Sequence, residues 1–164
     1  MSYSGLFELR TPRDLLAKLR HDLARMDSNW LDQYAAFDFF ITAHHMVDWL
    51  YPGDSNKQRR RDEVQASALL QVCSHLANGS KHFQTTDSRH TSVADTQLHE
   101  GPFSQQFSEQ FDISRLEVHL TGEAANRLGS VINVLPLARQ LLAFWEAYPA
   151  LAPSTDAISP NRGE

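Results

Sequence analysis

Residues 69–83 read LLQVCSHLANGSKHF, and the stretch falls into two halves. Leu69, Val72, Cys73 and Leu76 recur at the i, i+3, i+4, i+7 spacing of an amphipathic helix, with Leu70 beside them. Asn78, Gly79, Lys81 and His82 then follow, and burial alone gives no reason for them. Asn and Ser compete for backbone hydrogen bonds, and Gly weakens a helix interior, so NGSKH reads as the end of the helix. It is expected to turn a small polar cluster out of the core, into a cleft or a dimer seam.

Working outward, NKQRRRDEV opens the same helix, which is predicted to run from about 57 to 82. Its Arg59-Arg60-Arg61 run reads as a solvated helix end that is also able to meet phosphates. Before it, Tyr51-Pro52-Gly53-Asp54 is a strong stop for a helix over 31–50 that carries Tyr34, Phe37, Ile41 and Trp49. Thr11-Pro12-Arg13-Asp14 marks an earlier helix start, with a cap, a proline in the first turn and an acid at the positive end. Leucines 15, 16, 19 and 23 with Met26 extend that helix to about 26.

After Phe83 the chain turns polar. Residues 84–112 hold phenylalanines only at 103, 107 and 111 and read as loop, with a strand expected near 92–98. Arg115–Leu120 alternates Leu116, Val118 and Leu120 against Glu117 and His119, which is a half-buried strand. EAANRLG fits a short helical turn, and a last helix is predicted over 134–148, with Pro136 in its first turn. The expectation is a mainly α protein, a four-helix bundle with a small β-hairpin or three-stranded flap (about 84–122) before the last helix. It forms one domain over 1–148, and the Pro/Ser-rich residues 149–164 read as a flexible tail.

Composition bounds the function. The 164 residues are 41% hydrophobic and 21% charged, with net charge −5. That argues against a protein that coats nucleic acid all over, and leaves room for a local basic patch. The lone cysteine, Cys73, excludes an intrachain disulfide and reads as a small core filler. MSYSGLFELR lacks the basic-then-apolar order of a signal peptide, and no apolar run approaches the roughly 20 residues of a membrane span. A soluble, cytoplasmic protein without a membrane role is expected.

Two polar stripes stand out at about 100° per residue. On the second helix His44 and Asp48 lie one turn apart, on the face shared by Phe37 and Ile41, which is expected to be buried. His45 sits on an adjacent face. On the third helix Gln71, His75, Asn78 and His82 form one line. In an antiparallel hairpin the registers oppose, so His44 and Asp48 are expected near the start of that helix rather than near His82.

FDFFITAHHMVDWLYP (37–52) and LLQVCSHLANGSKHF (69–83) resemble a group of small bacterial helical proteins. These carry an H-x-x-D-W signature followed by a helix ending N-G-x-K-H-F. The resemblance spans most of residues 6–148, including FWE at 144–146. The second segment is also similar to HEPN domains, helical bundles that are often dimeric and include metal-independent ribonucleases. Their motif is Arg, four to six residues, then His, often with Asn directly after the Arg. Asn78 and His82 stand at the Asn and His places, and Ala77 stands where the family has Arg.

The resemblance implies a HEPN-like bundle that binds RNA or cleaves it by attack of a 2′-hydroxyl on the adjacent phosphate. His82 would move the proton, Lys81 would neutralise developing charge, and Asn78 would orient the imidazole or the phosphate, with His44, Asp48 and His75 in support. A homodimer would complete the site, and no cofactor is implied. Two other readings compete. One is an inert structural protein that docks a partner through the 84–112 flap. The other is a metal site using His44 and Asp48 at i, i+4 with His75 and His82, although no HExxH or ExxH signature supports it.

Overall fold

Thr11 begins the first helix by a reciprocal cap. Its side chain accepts the Asp14 N–H, and the Asp14 carboxylate accepts the Thr11 N–H at 2.8 Å. In the computed structural model, which describes residues 5–81, 91–101 and 114–151 and leaves out the Lys81 side chain, helix α1 covers Pro12–Ser28. Asp32 then caps α2, Gln33–Leu50, by accepting the N–H groups of Tyr34 and Ala35. Gly53 takes φ +84°, a conformation that favours glycine, and turns the chain through a short 3-10 turn, Asp54–Asn56.

The predicted helix over 57–82 is two helices. Helix α3 covers Lys57–Ala66 and α4 covers Ala68–Lys81. Between them Ser67 is extended, and its hydroxyl accepts the Leu70 N–H at 3.4 Å. A serine that caps a new helix outcompetes continuation of the old one, because α3 has no buried residue to hold it in line. Asn78, Gly79 and Ser80 form the last described turn of α4, which runs to Lys81, and His82 lies outside the described residues.

The buried face of α2 also differs from expectation. Ala35, Ala36, Phe39, Phe40, Ala43, Met46 and Val47 point inward, while Phe37 is 48% exposed and the Asp48 side chain 49% exposed. The three alanines let α1 and α4 approach α2 closely, and that fixes which side faces in. The face of Phe37, Ile41, His44 and Asp48 is therefore not core.

The β part has its strand where the Leu116, Val118, Leu120 alternation places it, though Glu117 is buried as well. Strands β1 (Val93–His99), β2 (Arg115–Leu120) and β3 (Val131–Asn133) form one antiparallel sheet in that order, with Leu98 opposite Leu116 and Val118 opposite Ile132. Leu116, Val118, Leu120 and Ile132 are buried against the helices. Helix α5 (Gly122–Leu128) joins β2 to β3, so the sheet extends past the expected flap, and α6 (Val134–Glu146) buries Leu137, Leu141 and Trp145 in the core. Among the described residues the protein is mainly helical, with six helices and a small three-stranded antiparallel sheet. No helix there is long and apolar enough to cross a membrane.

Candidate functional site: a cationic cleft between α2, α3 and α4

Helix α3 carries its polar residues in a stripe. Lys57, Arg60, Arg61, Val64 and Gln65 stand at i, i+3, i+4, i+7 and i+8, and all five line a cleft of about 340 Å³. The break at Ser67 turns this stripe toward two other helices. Helix α2 adds His44, Val47 and Asp48 to the cleft, and α4 adds Gln71, Ser74 and Asn78.

The three arginines of α3 have different surroundings. The Arg59 guanidinium lies 4.0 Å from the centre of the Tyr51 ring. Arg60 donates to the carbonyls of Tyr51 at 2.6 Å and Gly53 at 2.8 Å, and its Nε lies 3.2 Å from Asp48 Oδ1. These bonds pin α3 to the end of α2. Arg61 and Lys57 are exposed and have no ion-pair partner among the described residues. They are the two full positive charges in the cleft that the fold leaves unspent.

Asp48 bonds to His45, not to His44. The His45 Nδ1–H donates to Asp48 Oδ2 at 3.0 Å, and this is the His-x-x-Asp pair of the H-x-x-D-W signature. The hydrogen bond from His45, then the charges of His45, His44 and Arg60, hold the Asp48 carboxyl below the usual carboxylate range despite partial burial. The two imidazoles lie side by side, with ring centres 5.5 Å apart, and His44 is the one that lines the cleft.

The stripe on α4 divides. Asn78 lines the cleft, and its amide donates to the Ser74 carbonyl at 2.8 Å. His75 is buried and turns to the sheet, where its Nδ1 accepts the Val93 N–H at 3.0 Å. This makes His75 a link between α4 and β1 rather than a neighbour of the cleft. Ala77 is 7% exposed, so the place where HEPN domains carry Arg faces the core here. His82 and the Lys81 side chain lie outside the described residues, as does most of the 84–112 flap, of which 91–101 is described.

Among the described residues, no group of three or more His, Cys, Asp or Glu side chains is placed to hold a metal ion. Cys73 is fully buried in the core, and burial pushes its thiol pKa up, which suits a small core residue. Sequence reasoning missed the contribution of α3 to the site. The signal was present as i, i+3, i+4 spacing of Lys57, Arg60 and Arg61, but in a continuous helix Arg61 and Asn78, 17 residues apart, would stand about 25 Å apart along the axis. No family model, curated protein or solved structure matches the chain.

Proposed function

We propose that the protein is an RNA-binding module that holds a phosphodiester backbone in the cleft between α2, α3 and α4. One observation carries the reading: Lys57 and Arg61 enter the cleft that the side chain of Asn78 also lines, without an ion-pair partner among the described residues. Exposed cations with no counter-charge are the groups that phosphates neutralise. The net charge of −5 makes this a local rather than a global attraction.

The reading is HEPN-like with a degenerate motif. Arg61 comes from α3 into the cleft that Asn78 enters from α4, so positive charge reaches the site by a different helix from the family's. In the catalytic form of the same reading, His82 and Lys81 act as the resemblance implies, and RNA cleavage survives EDTA and is lost in His82→Ala.

The binding reading is tested by fluorescence anisotropy of a labelled RNA 12-mer against the full chain over a series of salt concentrations. Arg61→Ala should weaken binding for every sequence and reduce the slope of log K against log salt by about one. A wild-type affinity and slope in the Lys57→Ala/Arg61→Ala variant would remove the cleft from consideration.

A further inference from the structure

A second, larger groove of about 690 Å³ adjoins the first along α2. Its lining differs in kind. Phe37, Phe40, Leu98 and Val118 give apolar walls and Gln33 an amide, Asp95 and Glu117 are the acidic residues of the lining, and no lysine or arginine is among the described lining residues. Such walls do not suit a phosphate. Apolar surface with a few hydrogen-bonding groups, at this volume, suits a flat polar heterocycle.

The two sites share one rail. Tyr34, Phe37, Ile41, His44 and Asp48 fall within about 80° of arc on α2 at 100° per residue. The rail begins with aromatic rings that are 82% and 48% exposed, and ends in the cationic cleft. Phe37 and His44 are seven residues apart, about 10 Å along the axis at 1.5 Å per residue, so one strand can reach from cleft to groove.

We propose that the groove between α2, α4 and β1 receives an unpaired nucleobase stacked on Phe37, so that the RNA recognised is single-stranded. This rests on the RNA-binding reading above and adds the selectivity that charge cannot supply. Phosphates in the cleft hold any strand, whereas a base within a duplex cannot leave its stack without the cost of unpairing. The aromatic face accepts any base.

The test uses the full chain, the same RNA 12-mer as a single strand and as a duplex, and the variants Phe37→Ala, Phe37→Trp and Arg61→Ala. Sedimentation of each protein runs in parallel. The expected result is that wild type prefers the single strand by about tenfold or more. Phe37→Ala should lose about tenfold on the single strand and nothing on the duplex, and Phe37→Trp should keep the preference. Equal loss on both RNAs, or no loss, overturns the base groove while an Arg61→Ala defect keeps the RNA reading. A dimer that Phe37→Ala dissociates, with RNA affinity unchanged, makes the groove an interface between copies and overturns the proposal. Absence of RNA binding by the wild type overturns both readings.

Discussion

Asp22 in the seam between α1 and α2 and Arg61 in the cleft each carry one charge, and they meet opposite surroundings. Asp22 is 2% exposed. Lys18 donates to it and also to the Thr42 hydroxyl at 2.9 Å, while Arg25 Nη1 lies 3.9 Å from it and 2.7 Å from Asp38 on α2. Every charge in that seam is spent on the fold, tying α1 to α2. Arg61 is exposed and makes no ion pair among the described residues. The difference separates charge that builds the protein from charge that is kept for something else.

The largest expected effect tests the first half of that contrast. Asp22→Ala strands Lys18 and opens a polar void beside Thr42. Breaking a buried pair costs about 3–5 kcal/mol, and the partial exposure of Lys18 lowers this to roughly 2–3 kcal/mol in urea melts. The second half predicts that Lys57→Ala/Arg61→Ala melts within about 0.5 kcal/mol of wild type. The same variant should bind RNA about tenfold or more weakly. A large loss of stability there would show that the cleft is structural and dissolve the contrast.

Ser67→Ala sharpens it further. Loss of the cap at the α3–α4 break should cost about 0.5–1 kcal/mol. It should also weaken RNA binding without touching a charge, because the angle of the break aims Lys57 and Arg61 at Asn78. The smallest effect belongs to Asp48, whose folded pKa lies below its unfolded value near 4. Its stabilisation is present above about pH 4 and lost as pH falls through the folded value. Asp48→Asn should flatten that acid limb and cost a few tenths of a kcal/mol at pH 7, read from urea melts between pH 3 and 7.

Much of this was legible in the sequence. The cap at Thr11, the stop at Pro52-Gly53, the β2 strand over Arg115–Leu120 and the first turn around Pro136 each follow from local chemistry, and the structure has them where expected, although Glu117, which the alternation placed outward, is buried. The inward face of α2 was not legible from its largest residues. Alanines at 35, 36 and 43 decide it through how closely α1 and α4 approach, which is tertiary information. The helix break was hidden for a related reason. A lone serine in QASALL is a weak signal until an unburied α3 and a packed α4 are set against each other. Missing the break also hid the site, since only the bent form brings α3 cations to the α4 amide. The pairing of Asp48 with His45 shows the limit of face counting, because a flexible i, i+3 pair formed in preference to the i, i+4 one.

Helix α3 buries no residue, and the described bonds holding it to α2 run largely through Arg60 and Tyr51. An element with so little buried area opens at a small free energy, independently of global unfolding. Its amides should therefore exchange with deuterium long before those of α2 or α6. A ligand that bridges α3 to α4 would slow that exchange selectively. In that sense the cleft is half formed by the protein and half by what it holds, and amide exchange in ten residues would report occupancy.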